Sequence, residues 1–294
     1  MSQFQYDLAV AYRIYPKSSA SHAPIFPDEK TKLAELCLES FKNSLGNLRV
    51  KVWALLNDCP PEFEELFTSR FAPEDLVLVR FPGIGPGQTL YEQFRILTEQ
   101  TDAEQVLFSE DDYFYLPGQL EIAVNFLKQN PDADFVTPYD SSDFHLIDLH
   151  KMPAETREFG GKKWSSRLSA THTFMAKRSA LRECRDLFDR MFAIYKGKTS
   201  PDLAMWMALT KKRVFNPFKF ALWTLTHRWW WAGNVFLAWV YCWREILLRR
   251  KFTLWSPQPT IATHMVVGLE APGINWPGEF QKQLAAKPLT AQKS

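Results

Sequence analysis

Apolar and polar positions fall into short blocks whose period changes along the first half of the chain. Leu8-Ala9-Val10-Ala11-Tyr12 is a continuous apolar run of strand length, as expected for a strand covered on both faces. A polar loop with Pro16, Pro24 and Pro27 follows. Asp28 is placed to cap a helix; Leu33, Leu36, Cys37, Phe41 and Leu45 then recur at helical spacing, and Gly46 is the expected stop. Residues 50–56 return to strand character, which makes a strand–helix–strand unit and so implies parallel pairing with a right-handed crossover. The alternation continues with a short helix over 61–71, a third strand over 76–81, a helix over about 89–100, a fourth strand over 105–109, a helix over 117–129 and a strand over 134–137. Strands and helices in turn predict a doubly wound, mostly parallel α/β sheet.

Beyond about residue 139 the pattern degrades. Residues 140–168 are polar, hold Gly160-Gly161 and show no clear period. A strand is readable over 170–176 and a helix over 178–192. Thr199-Ser200-Pro201-Asp202 opens another helix, running to about 212, with proline at the first position and an acid in the first turn. A helical, aromatic segment over 218–252 contains Trp229-Trp230-Trp231, Trp239 and Trp243. From 271 the chain carries Pro272, Gly273, Pro277 and Gly278 and then ends polar, which predicts disorder. Three parts result: an α/β half over 1–138, a less regular half over 139–270, and a tail over 271–294.

At 294 residues, 46% of them hydrophobic, the chain can build one large core or a core with a smaller lobe. A net charge of +2 gives no reason to expect a nucleic-acid partner. Four cysteines (Cys37, Cys59, Cys184, Cys242) lie far apart, without metal-site spacing, and read as reduced thiols of a cytoplasmic protein. The first residues lack the basic and apolar regions of a signal peptide. The apolar stretch 229–243 is shorter than the roughly 20 residues of a membrane span, yet it is tryptophan-rich and flanked by His227, Arg228, Arg244, Arg249, Arg250 and Lys251. Such a segment suits either a membrane interface, at the cytoplasmic face, or a helix pair buried in the second lobe.

Candidate chemistry centres on Ser109-Glu110-Asp111-Asp112-Tyr113, directly behind the apolar strand that ends at Phe108. Three adjacent carboxylates repel, and burying them unpaired is costly. A divalent cation carrying a polyphosphate would offset that charge, since Mg²⁺ and Mn²⁺ take carboxylate, phosphate and water oxygens. The C-terminal edge of such a sheet is also where ligands bind. An exposed acidic turn is the plainer alternative.

Asn57-Asp58, the loop Gly83-Ile84-Gly85-Pro86-Gly87, the cluster Glu110-Asp111-Asp112, then Ser200-Pro201-Asp202 and Thr263-His264-Met265 follow one another in an order that resembles the family 2-type glycosyltransferases of GT-A fold. The resemblance spans about residues 6–265. It implies a GT-A-type sheet with a less regular acceptor lobe, a nucleotide-sugar donor, a glycan or lipid-linked acceptor, and Mn²⁺ or Mg²⁺ held by Asp112 and His264. It further implies Asp202 as the catalytic base, with Arg13, Asp58, Gly87, Glu110 and Asp111 on the donor side. This chain departs from the family pattern in having Glu-Asp-Asp rather than Asp-x-Asp, Pro201-Asp202 in place of a Glu-Asp pair, and Gln93 or Arg95 where the family has an asparagine.

Each residue has a plainer role beside the functional one. Asp202 is stabilised at a helix start without any catalysis, His264 and His172 are ordinary strand histidines, and Arg13 is a rim charge. Two further functions stay open. A nucleotidyltransferase would use the same sheet, but the loop after the first strand lacks glycine; a silent scaffold or glycan-binding protein would explain the single acid at 201–202.

Overall fold

The computed structural model describes residues 4–17, 25, 30–195 and 202–285. The expected cap Asp28 and the helix opening Thr199-Ser200-Pro201 lie outside the described residues. β1 (Leu8–Ile14), α1 (Lys30–Ser44) and β2 (Val50–Asn57) form the anticipated parallel unit, with β1 and β2 paired along all of β1. α2 (Pro61–Thr68) and a single 3-10 turn lead to β3 (Leu76–Phe81), outside β2; α3 (Pro86–Glu99) returns the chain to β4 (Gln105–Glu110), on the other side of β1. β1 therefore lies inside the sheet with both faces covered. Leu8, Val10 and Tyr12 join the core beneath α1, while Ala9 and Ala11 join the opposite core with Phe94 and Leu97 of α3. Burial on both sides is why this strand shows no alternation.

Past β4 the sheet becomes mixed. The remaining elements are β5 (Tyr113–Tyr115), α4 (Gln119–Gln129), β6 (Phe135–Val136), α5 (Asp143–Leu146), β7 (Thr156–Phe159), β8 (Lys162–Ser166), β9 (Phe174–Lys177), α6 (Arg178–Glu183), α7 (Arg185–Tyr195), α8 (Asp202–Thr210), α9 (Pro217–Leu225), α10 (Trp229–Leu247), β10 (Leu254–Gln258), β11 (Ala262–His264) and α11 (Trp276–Ala285). The large sheet runs β3-β2-β1-β4-β9-β6-β10-β8-β7, with β9 antiparallel between β4 and β6, and β10 parallel to β6. This is a GT-A-type doubly wound α/β core with a less regular, tryptophan-containing C-terminal region.

Several expectations are corrected. The helix placed at 89–100 begins three residues earlier, because Pro86 occupies its first turn, where a missing N–H is harmless; Gly87 is thus helical. The featureless stretch 140–168 contains the β7–β8 hairpin. Its turn is Gly160-Gly161, both at positive φ, and a side chain at Gly160 would strike Ile122. The helix expected over 178–192 is broken at Cys184 into α6 and α7. The tail beginning at 271 is ordered through α11, where Trp276 and Phe280, one helical turn apart, bury themselves against Phe114.

The aromatic segment is two helices, and its inner side is buried as the helix-pair reading expects. Ala232, Val235, Ala238, Cys242 and Ile246 face inward with α8, whose residues Leu203 to Thr210 are all buried. The outer side is open: Phe218 is 87% exposed, Trp230 64% and Leu248 73%. Among the described residues no helix is long and apolar enough to cross a membrane.

Candidate active site

The site is assembled at the C-terminal ends of β1 and β4. Their parallel register sets Arg13 directly opposite Glu110. The Arg13 guanidinium donates from Nε to Glu110 Oε1 at 3.1 Å, pairs with the same carboxylate through Nη2, and donates from Nη1 to the Pro86 carbonyl at 3.0 Å. Burial pushes this guanidinium down, but the facing Glu110 charge outweighs it and holds Arg13 above its ordinary value. Thr173 Oγ1 donates to the other Glu110 oxygen at 3.4 Å.

Asp111 is buried and meets Lys30 Nζ at 2.8 Å and the Tyr15 backbone N–H at 3.2 Å. Burial, together with the like charge of Asp112, keeps its carboxyl above the ordinary range despite Lys30. Glu110 and Asp111 thus each have a cationic partner within the protein, Arg13 and Lys30, which lie too far away in the chain for local pattern to pair them with the cluster.

A second, two-stranded sheet supplies the partner of Asp112. β5 leaves the cluster immediately and pairs antiparallel with β11, in a register that puts His264 beside Tyr113. The rings of Tyr113 and His264 stack at 4.8 Å, Met265 N–H donates to the Asp112 carbonyl at 2.7 Å, and His264 Nε2 lies 3.1 Å from Asp112 Oδ2. Burial raises the Asp112 carboxyl, yet the His264 hydrogen bond and charge bring it below the ordinary range; reciprocally, burial lowers His264 and Asp112 raises it overall. Asp112 Oδ1 is buried and has no hydrogen-bond partner.

Asp202 reaches the same crevice from α8. Its Oδ1 accepts the Leu203 backbone N–H at 2.7 Å, and its Oδ2 stands 3.9 Å from His172 Nε2. The other ring nitrogen, Nδ1, is 3.3 Å from Arg13 Nη2. Burial raises the Asp202 carboxyl, against a lowering influence from His172. Asp202, His172, Arg13 and Glu110 therefore form one chain of contacts across residues far apart in sequence.

The remaining donor-side candidates sit at the other edge. Asp58, at φ +55°, directly follows β2 and lines a cleft of about 390 Å³ with Cys59, Glu64 and Arg80. Asn57 fixes the adjoining loop by exchanging hydrogen bonds with the backbone of Ile84. Gly87 is buried in the first turn of α3. Gln93 lies in the core, donating to the carbonyls of Ala11 and Ser109 and so tying β1 to β4, whereas Arg95 pairs on the surface with Glu92 and Glu99. Sequence reasoning missed Lys30 and Thr173 altogether and gave His172 little weight. The flanking threonines were the available signal: Thr171 accepts from Tyr113 Oη at 2.9 Å and Thr173 binds Glu110, so both anchor the His172 loop to the acid cluster.

No family model and no curated protein matches the chain. Among solved structures, it is similar to residues 1–349 of TarS from S. aureus in complex with UDP, at 16% identity and a TM-score of 0.43, over 68% of this chain and 54% of that one. It is also similar to 4-diphosphocytidyl-2C-methyl-D-erythritolsynthase from Anaerococcus prevotii (8% identity, TM-score 0.41, 70% and 84% of the two chains). A cytidylyltransferase from Leptospira borgpetersenii matches at 10% identity with a TM-score of 0.36, over 61% of this chain and 64% of that one. All three likenesses are remote.

Proposed function

We propose that this protein is a metal-dependent glycosyltransferase that moves a sugar from a nucleotide-sugar to a hydroxyl of a glycan or lipid-linked acceptor, with inversion. The observation that carries the reading is the convergence of Asp202 and the Glu110–Asp112 cluster on one strand-end crevice, linked through His172 and Arg13. One-step displacement needs a carboxylate beside the attacking hydroxyl, and Asp202 has an oxygen free of its own helix for that proton. On the donor side stand Arg13, Asp58, Gly87, Glu110 and Asp111.

A divalent ion fits at Asp112, whose buried Oδ1 has no other partner. Among the described residues no group of three or more His, Cys, Asp or Glu side chains has metal-holding geometry. Asp112 and His264 would therefore hold Mn²⁺ or Mg²⁺ together with phosphate and water oxygens, and the ion would supply Lewis-acid stabilisation to the departing diphosphate.

Thermal shift with UDP, GDP, CDP, ADP and dTDP, each with Mn²⁺ and with EDTA, tests the reading. One nucleotide should raise stability by roughly 2.7 kcal/mol at 100 times its Kd, only with metal, and not in Asp112→Asn. Silence for all five would move the balance to a scaffold.

The open outer face of α9 and α10 fits the same proposal as a contact with an acceptor-bearing membrane surface. Exposed apolar patches of this kind mark interaction sites, and tryptophans with arginines suit the headgroup region. The protein should sediment with phosphatidylcholine–phosphatidylglycerol vesicles and stay bound in high salt, while a Trp229→Ser, Trp230→Ser double variant should not sediment. A wild-type protein left in the supernatant would refute the membrane contact.

A further inference from the structure

The geometry points to His172 as a positioning residue, fixed in one tautomer by Arg13 so that its only N–H is presented to the free oxygen of Asp202. The inference rests on the reading of Asp202 as the base. A guanidinium has donors and no acceptor, so the 3.3 Å contact from Arg13 Nη2 makes His172 Nδ1 an acceptor. A neutral imidazole whose Nδ1 accepts must carry its hydrogen on Nε2. That nitrogen is buried, has no hydrogen-bond partner, and lies 3.9 Å from Asp202 Oδ2. Arg13 cannot swing away, because Glu110 and the Pro86 carbonyl hold its other nitrogens. The backbone that carries the ring is anchored as well, because Thr171 and Thr173 on each side of it are tied to Tyr113 and Glu110.

The consequence concerns the base. With Oδ1 bound to the Leu203 N–H and one side of Oδ2 facing His172, Asp202 has a restricted set of lone pairs left for an acceptor's proton. His172 also stands as a neutral spacer between the guanidinium and the carboxylate. A direct Arg13–Asp202 ion pair would hold Asp202 ionised too firmly to take a proton at all. The charged groups that bear on the pair are Arg13 and Asp202 for the imidazole, and for Asp202 the neighbouring Glu110, which opposes its ionisation.

The test needs no substrate, so its failure is separable from failure of the transferase reading. In full-length protein with ¹⁵N-labelled histidine, long-range ¹H–¹⁵N correlation at neutral pH should show His172 with Nδ1 bare and Nε2 protonated, assigned by loss of the signals in His172→Gln. In Arg13→Met the two nitrogen shifts should move towards an average of the two tautomers. A protonated Nδ1 in the wild type, or an unchanged tautomer without Arg13, overturns the assignment. The link to Asp202 is read by a ¹³C-carboxylate pH titration. His172→Phe should move the Asp202 midpoint upward by about half a pH unit or more, since a donor favouring the carboxylate is lost. His172→Gln, whose amide can accept from Arg13 and donate to Asp202, should restore it. A midpoint that ignores both substitutions also overturns the proposal.

Discussion

Asp202→Asn is expected to abolish transfer to the acceptor, with a fall of about 10²–10⁴ in turnover of whichever nucleotide-sugar the ligand screen selects, and little change in donor affinity. The amide keeps the side chain's shape and its oxygen for the Leu203 N–H, yet it cannot take a proton. A pH dependence follows from the same residue. A base must be ionised to work, and burial holds the Asp202 carboxyl above its ordinary value. Activity should therefore be full above that raised midpoint and decline as pH falls through it, at a higher pH than an ordinary aspartate would give. A variant that retains most of its turnover, or one that loses donor affinity in the same proportion, would remove Asp202 from the role of base.

Arg167→Met is expected to cost about 3–5 kcal/mol of stability in urea unfolding. Asp140 is buried where β6, β8 and β10 come together, and Arg167 Nη2 donates to it at 2.6 Å from a side chain that is itself largely buried. His145, Gln258 and Ser256 complete the carboxylate's surroundings, but the arginine is the partner that always carries charge. Methionine fills similar volume and leaves a buried anion without that charge. As a contrast, Arg95→Met removes exposed pairs to Glu92 and Glu99 and should cost no more than about 0.5 kcal/mol. Equal losses for the two variants would show that the Asp140 network contributes no more than the surface does.

The parallel half was legible in the sequence because its first four strands are six to eight residues long, mostly apolar and separated by helices with clear apolar stripes. β1, β2, β3 and β4 were all found within a residue or two. β5, β10 and β11 were not, for a physical reason: three to five residues are too few to establish a period, and Ser256 and Pro257 dilute the apolar signal of β10. The candidate site was legible in its acids, in Arg13 and in His264, and opaque in Lys30 and nearly so in His172. Glu110, Asp111 and Asp112 stand adjacent in the chain, so local charge density exposes them. Arg13 is set opposite Glu110 by the register of β1 on β4, Lys30 reaches Asp111 from α1, and His172 meets Arg13 from the loop before β9; the contacts of Lys30 and His172 leave no local mark in the sequence. α11 was lost because Pro277 and Gly278 look like breakers, although they occupy the helix's first turn and leave the Trp276–Phe280 pair free to pack.

The antiparallel pairing of β5 with β11 also sets an order of events during synthesis. β5 leaves the ribosome soon after the acid cluster, while His264 of β11 lies 152 residues beyond Asp112 and emerges much later. The nascent protein thus exposes Asp112 without its histidine while the parallel half is already able to form. A translation product that stops short of His264 would keep much of the sheet, and with it the strand-end crevice, but would lack the partner of Asp112.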